Sequence, residues 1–431
     1  MLISLLALSV AAGVAGAGAR EADGLDEVAQ AYVRVVLALG VHDSDFVDAY
    51  YGPPEWRTAA QAEKRPLPEI RAEAQRLLAR LRALTPSDRK GGRVEELVLL
   101  RHEYLTRQLE ALSTRVDMLS GKKLSFDEES RALYNAVAPT LGDDHFDDIL
   151  ARLERELPGT GSLDKRYEAY RKGFVISPDK VAAVFDAAIA ECRRRTLAQV
   201  DLPPGESFVV EYVKGKPWSA YNWYKGSFHS VIQVNLDLPI TIDRAVDLAC
   251  HEGYPGHHVY NALLEKHLVK DRGWVEFSVY PLFSPQSLIA EGTANFGIEV
   301  AFPGEERVAF ERATLYPLAG LDPGTAEAYA RLQRELHGLD AAQNQAARRY
   351  LEGRIDAAAA AAWLETHALM PADRAKQRVE FIDRYRSYVL NYNLGQDLVR
   401  AYVDRQSAAA GGRWPAFKAL LASPRLPGGL R

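Results

Sequence analysis

Proline and glycine at positions 255 and 256 sit in the middle of the segment HEGYPGHH, residues 251–258, and no helix can run straight through them. Proline lacks the amide that would bond the carbonyl of His251, and its ring clashes with that carbonyl. Glycine beside it tolerates torsions that other residues avoid. Yet these eight positions hold three of the chain's ten histidines and a glutamate, side chains suited to a metal ion. The common zinc-peptidase spelling, H-E-x-x-H, sets two histidines one helical turn apart with the glutamate as base. Here Pro255 stands where the second histidine would be.

A regular helix serves none of the possible pairs. Six residues turn the chain roughly 240° beyond one revolution, so His251 and His257 would face apart. Seven residues put His251 and His258 on one face but roughly 10.5 Å apart along the axis. That is a long reach for two ligands each about 2.1 Å from one ion. A bulge at Pro255-Gly256 absorbs the two extra residues and swings His257 back under His251; bulges of this kind often mark functional sites. The chain contains its own control. His102 and Glu103 repeat the His-Glu pair, but Thr106 stands four residues after His102 with no ligand type nearby, so that pair reads as helix surface. Cys250 points about 100° away from His251 on a helix and reads as core packing rather than as a ligand.

Around this segment the pattern is mostly helical. "PEIRAEAQRLLARLRAL" and "RVEELVLLRHEYLTRQLEAL" carry apolar residues at three and four spacing, and so do "TAEAYARLQRELHGL" and "AKQRVEFIDRYRSYVLNY". Ser125 with Glu128 spells a capping box, and Ser177 before Pro178 spells a helix start. One region differs. Glu206–Val213 and His229–Ile240 are rich in β-branched residues and predict a sheet of two or three strands, just before a motif helix starting near Thr241 or Asp243.

Hydrophobic residues make up 47% of 431, enough for a large core, and 53 basic against 58 acidic residues give a net charge of −5. No basic excess attracts nucleic acid or anionic lipid. Cys192 and Cys250 cannot form a disulfide framework. A single bridge between them is open in an oxidising compartment but is the less expected state. The first residues, "MLISLLALSVAAGVAGAGAR", run from an apolar stretch into Ala17-Gly18-Ala19, an A-x-A cleavage pattern. They read as an export signal of about nineteen residues, with periplasmic or secreted protein as the outcome and no lasting membrane insertion. No Lys or Arg precedes the apolar stretch, so the N-terminal amine serves alone or the true start lies upstream.

The segment resembles gluzincin metallopeptidases. Those of the neurolysin and carboxypeptidase Taq type carry H-E-x-G-H, and dipeptidyl peptidase III adds one residue, again ending Gly-His. This chain looks like a two-residue expansion. It closely resembles the H-E-x-x-P-G-H-H signature of a large bacterial domain-of-unknown-function family of predicted gluzincins. The resemblance implies His251 and His257 as ligands of one Zn²⁺ per chain, Glu252 as base, and His258 as a substrate contact or a support to the ligands. It implies a third ligand in "LIAEGTANFGIEV", namely Glu291, with Thr293 replacing the family's tryptophan in the pocket wall. Asn295, one turn on, is placed to orient a ligand. The family strand in "YNWYKGSFHSVIQVNLDLP" would line the cleft, with His229 and Asn235 as substrate contacts. In "YRSYVLNYNLGQDLV" the family ends Pro-Gly-Gln where this chain has Leu394-Gly395-Gln396. Of Tyr385, Tyr388 and Tyr392 there, Tyr392 is favoured as hydrogen-bond donor to an oxyanion.

The resemblance covers roughly Trp218 to Val300 and Phe381 to Val399. It implies a mainly α, zincin-like fold of the neurolysin or carboxypeptidase Taq type, with a small sheet beside the active-site helix. Residues 20–200 form a helical region and 201–431 the catalytic region of one continuous unit. The expected activity is zinc-dependent hydrolysis of short peptides, of carboxypeptidase or oligopeptidase type. The rivals are hydrolysis of a non-peptide amide or ester, and a peptide-binding protein with a dead site. Glu252 argues against the last, since a binder needs no base beside its metal.

Overall fold

The computed structural model describes residues 24–84, 95–216, 218–237 and 239–431. The apolar N-terminal stretch and its A-x-A pattern lie outside the described residues. With 67% helix and 8% strand, the class is mainly α with small sheets, as the periodicity predicts. Among the described residues, no helix is long and apolar enough to cross a membrane.

The helices follow the sequence signals closely where those signals are local. Leu67–Ala83 buries Ile70, Ala74, Leu77 and Leu81, one face at three and four spacing. Phe126–Tyr134 begins at the predicted capping box: Ser125 Oγ accepts from the amide of Glu128, and the Glu128 carboxylate accepts from the amide of Ser125. Ser177 behaves otherwise. Its hydroxyl donates to Asp179, residues 178–180 form a turn, and the helix runs only from Val181 to Leu197.

Two small sheets frame the motif. Strand β1 (Val47–Tyr50) lies antiparallel to a short strand, Val279–Pro281. Three strands form the second sheet: β2 (Ser207–Val213), β3 (Ala220–Gly226) and β4 (His229–Asn235), in the order β2-β4-β3. The β4 strand pairs parallel with β2 and antiparallel with β3. Strand character ends at Asn235, not at Ile240. The Asn235 side chain donates to the carbonyls of Lys216 and Trp218 and accepts from the amide of Asp237, which turns the chain away. Buried Glu265 closes the β3–β4 hairpin by accepting from the amides of Ser227 and Phe228 and from the Tyr224 hydroxyl. This leaves β3 as an edge strand.

The motif helix, Ile242–Leu248, continues as a wider π turn over Ala249–Gly253. Cys250 there is joined by a disulfide to Cys192 on the Val181–Leu197 helix, which corrects the expectation of two separate thiols. A glutamate helix, Pro285–Ala301, packs most extensively against Leu390–Ala410, the tyrosine helix. The two touch backbone to backbone: a Cβ on Gly292 would lie 2.4 Å from the carbonyl carbon of Gly395, and one on Gly395 would lie 2.6 Å from the carbonyl oxygen of Leu288. One continuous buried cluster reaches from Leu25 to Leu430.

The run "AKQRVEFIDRYRSYVLNY" reads as one helix but is two. Ala372–Tyr385 stops at Arg386, whose φ is 53°, and helix resumes at Leu390. The break is held from a distance. Buried Glu129 accepts from Arg386 Nε at 2.6 Å, from the Ser387 amide at 3.0 Å and from the Ser387 hydroxyl at 2.6 Å. Replacing one partner of such a buried network leaves the others unpaired, a loss of roughly 3 kcal/mol. Glu129→Ala is expected to lower the unfolding free energy by about that much in urea titration, whereas a surface carboxylate such as Glu69→Ala changes it within about 0.5 kcal/mol. A Glu129→Ala protein as stable as the parent would refute the role of Glu129 in the break.

Candidate metal centre

The motif turns back on itself through one hydrogen bond. The amide of Gly256 donates to the carbonyl of Cys250 at 2.9 Å, six residues back instead of four. That is where the two extra residues go. Tyr254 is extended (φ −119°, ψ 117°), and a new helix starts at His257 and runs to Leu264. Any side chain at position 256 would destroy this closure, since a Cβ there would sit 1.9 Å from the carbonyl oxygen of His251 and 2.4 Å from that of Cys250. The result is a broken helix rather than a bulged one, and it brings His257 Nε2 to 3.1 Å from His251 Nε2, ring edge to ring face.

The glutamate helix supplies the third group. Glu291 places one carboxylate oxygen 3.3 Å from His251 Nε2 and the other 3.8 Å from His257 Nε2. Two ligand atoms each about 2.1 Å from a tetrahedral ion lie about 3.4 Å apart, so this set of three fits one ion. Glu291 Oε2 supports the fit, because it is buried without a hydrogen-bond partner, and a cation would satisfy it. The other oxygen accepts from the Tyr388 hydroxyl at 2.8 Å. Asn295 Oδ1 lies 2.8 Å from His251 Nδ1 and fixes that nitrogen as the donor, leaving Nε2 toward the centre. Asn295 is itself oriented through its amide, which donates to the carbonyl of Tyr392. Thus His251, His257 and Glu291 form a group that could hold a metal ion.

Charge is divided unevenly in this group. Burial opposes a charge on His251, but the Glu291 carboxylate against it, with Glu252 and Asn295, carries its pKa up to about 9. Burial holds His257 down at about 4, and the neighbouring His251 charge adds to this. A metal ion therefore competes with a proton at His251. Glu252 follows His251 on the π turn, 5% exposed, and burial pushes its pKa up to about 7 even though the His251 charge works against the shift. Its main chain is fixed by Asn222 on β3, whose amide donates to the Glu252 carbonyl at 2.7 Å.

All four residues open onto one cavity of about 1060 Å³. The exposed edge of β3, from Ala220 to Asn222, forms part of its wall, and so do Tyr388 and Tyr392. Asp48 on β1 also lines it and accepts from the Tyr221 hydroxyl. Burial, then the charges of Glu291 and Glu252, raise the Asp48 pKa to about 8. Sequence reasoning missed Asp48, because a four-residue strand far upstream carries no signal. It also weighed Tyr388 below Tyr392, and only Tyr388 is hydrogen-bonded to a member of the metal group.

The remaining predicted contacts lie elsewhere. His258 is fully buried between Ser230 (2.9 Å to Nδ1) and Glu206 (3.0 Å to Nε2), and Glu206 also holds Tyr254 and Arg193. It pins the broken turn to the sheet and does not line the cavity. His229 faces Ser207 at the start of β4, and Asn235 is spent on the turn described above; neither lines the cavity. Thr293 is buried and donates to the carbonyl of Ile289 on its own helix, so it is not part of the cavity wall. His102 bonds the carbonyl of Leu81 between two helices and belongs to no candidate metal group among the described residues.

No protein-family model matches the chain, and no curated protein matches it. Among solved structures it is similar to "the putative lipoprotein from Colwellia psychrerythraea", with a TM-score of 0.54 and 15% identity over 87% of this chain and 71% of that one. That similarity is one of fold. It is also similar to "a putative lipoprotein of unknown function from Shewanella oneidensis" (TM-score 0.42, 12% identity, 91% and 82% covered). A third is the M32 carboxypeptidase of Deinococcus radiodurans R1 (TM-score 0.37, 13% identity, 95% and 89% covered).

The two adjacent histidines separate cleanly by experiment. His257→Ala is expected to lose tightly bound divalent metal, measured by mass spectrometry of the purified protein. His258→Ala is expected to keep the metal but lose roughly 2 kcal/mol of stability, because the buried Ser230 hydroxyl loses its partner and Glu206 loses one of its three. The reverse pattern would assign the ligand to the other histidine.

Proposed function

We propose that this chain is a zinc-dependent metallopeptidase acting on short peptides, of the gluzincin kind that its HEGYPGHH segment resembles. The observation that carries this reading is the convergence of His251, His257 and Glu291 on one point with a free carboxylate, Glu252, beside it in an open cavity. Two histidines and a glutamate make a zinc set that leaves a fourth position open. A zinc ion bound there polarises a carbonyl and acidifies water.

The chain's own groups would do the rest. Asn295 and Tyr388 hold His251 and Glu291 in place. The edge of β3 offers main-chain donors and acceptors to an extended peptide, which would lie along it by strand addition. Asn222 ties that edge to the main chain of Glu252, so substrate and base share one frame. Glu252 takes the proton of the attacking water and returns it to the leaving nitrogen. Tyr392 faces the same cavity and would donate to the oxyanion. Water is partly excluded, since the side chains of His251, His257 and Glu291 are 12%, 13% and 8% exposed.

Export belongs to the same proposal. It is supported by the apolar N-terminal stretch and by the Cys192–Cys250 disulfide, a bond that persists in oxidising compartments.

The test is Glu252→Gln. It keeps size and polarity but removes the proton acceptor, and general-base assistance contributes roughly 10² to 10⁴ in rate. The variant is expected to retain its zinc and its affinity for a peptide that the parent cleaves, while kcat falls by at least the lower of those factors. Full zinc with undiminished turnover would remove Glu252 from the mechanism.

A further inference from the structure

The cavity wall holds arginines and carboxylates in equal number, yet not every arginine there has an ion-pair partner among the described residues. Most arginines on the wall are paired: Arg244 and Arg307 with Asp247, and Arg400 with Glu299. Arg374 and Arg378, on the helix Ala372–Tyr385, are different. Among the described residues the Arg374 guanidinium donates to the Ser219 hydroxyl, at 3.2 Å, and makes no ion pair. Arg378 lies over its helix neighbour Phe381, 5.0 Å from the ring centre, and makes no ion pair among the described residues. The Asp373 carboxylate next in sequence bonds the amide of Arg374, not its guanidinium. The pair stands at i and i+4, where like charges repel. A third wall arginine, Arg171, adds to the positive field and is likewise without an ion pair among the described residues.

Burial, then the charges of Arg244, Arg171 and Arg378, lower the Arg374 pKa to about 10, and burial with Arg244 lowers that of Arg378. Both shifts agree with the geometry: two guanidiniums stand in a partly dry cavity without an ion pair among the described residues, and Asp373 and Asp340 oppose the shifts without pairing with either. Uncompensated charge of this kind costs stability unless an anion relieves it. A guanidinium's planar fork suits a carboxylate, which it can bind through two parallel hydrogen bonds.

The position is specific. Ser219, the Arg374 partner, immediately precedes β3, and Asn222, which holds Glu252, lies three residues along the same strand. Three strand residues span about 10 Å. Tyr392 is acted on by the charges of Glu291 and Glu252 and by that of Arg378, so the unpaired arginines and the metal group face one space.

We infer that Arg374 and Arg378 receive a carboxylate of the substrate, within about three residues of the bond at which Glu252 acts. The inference rests on the metallopeptidase reading for the word substrate, but binding tests it independently. A carboxylate could come from the free C-terminus of a peptide or from an acidic side chain near the cleavage point. The shared chemistry is the anion, and the probes tell the two sources apart.

The experiment is calorimetric titration of the full metal-loaded chain carrying E252Q, so that ligands survive. Three acetylated peptides are compared: Ac-Ala-Ala-Ala with a free C-terminus, the same peptide as its C-terminal amide, and Ac-Ala-Glu-Ala as its amide. At least one carboxylate-bearing peptide is expected to bind about tenfold or more tightly than the neutral amide, a difference of about 1.4 kcal/mol. A gain with the free acid identifies the C-terminus as the source, and a gain with the glutamyl peptide identifies the side chain. Adding R374Q and R378Q together is expected to reduce that affinity to the level of the neutral amide, while the neutral amide itself binds as before. Circular dichroism and Tm verify folding; should the double variant not fold, the single R374Q and R378Q variants carry the same comparison. Equal binding of all three peptides would overturn the inference, and so would a preference that survives removal of both guanidiniums. Since binding is read rather than turnover, the role of the arginines is decided even for a chain that cleaves no peptide.

Discussion

The hydrogen bond from the Gly256 amide to the Cys250 carbonyl is the contact on which the centre depends. A straight helix would send His257 to the opposite side from His251. The six-residue closure instead ends one helix and begins the next, and the second helix starts on His257 itself. The closure requires a residue without a side chain at 256, because two carbonyl oxygens occupy the space where a Cβ would go. Proline before it removes the competing four-residue bond. Local chemistry of two residues thus decides whether His251 and His257 are scattered or gathered. His258 then serves the closure from the other side, tying it to Ser230 and Glu206.

Glu291, the third member of the group that could hold a metal ion, is delivered by contacts distant in sequence. Gly292, next to Glu291, and Gly395 let two helices approach at backbone distance. That approach sets Tyr388 against Glu291 and the Tyr392 carbonyl against Asn295. Glu129, from a helix more than a hundred positions upstream, then fixes the chain break just before Tyr388. Each supporting side chain is itself held by another, so the geometry of the ligands is inherited from packing rather than from any single loop.

Much of this was legible in the sequence where the signal was local. The capping box at Ser125 and the face of Leu67–Ala83 follow from spacing alone. The group of His251, His257 and Glu291 was legible through the resemblance of HEGYPGHH and LIAEGTANFGIEV to gluzincin segments, and spacing alone did not single out Glu291. What escaped was set by tertiary contact. Helix periodicity passes unbroken through Arg386, and only the buried Glu129 explains the break. Polar strand residues such as His229 and Asn235 look alike in sequence whether they face a cavity or hold a turn. Asp48 sits on a strand too short to announce itself, and the pairing of Cys192 with Cys250 depends on helix placement that spacing does not encode.

That sulfur bridge links the metal centre to the chemistry of its surroundings. Cys250 immediately precedes His251 and accepts the closing hydrogen bond through its own carbonyl. The bridge spans 58 residues of chain, and a crosslink over a loop of that size restricts the unfolded ensemble by roughly 4 kcal/mol. In a glutathione-rich cytosol both sulfurs stay reduced, and the residue that anchors the ligand turn is then kept in place by packing alone. Protein made in such a host and protein that has crossed into an oxidising space therefore share a sequence without sharing the same restraint on the turn that carries His251, so the choice of expression compartment is itself an experimental variable at the candidate site.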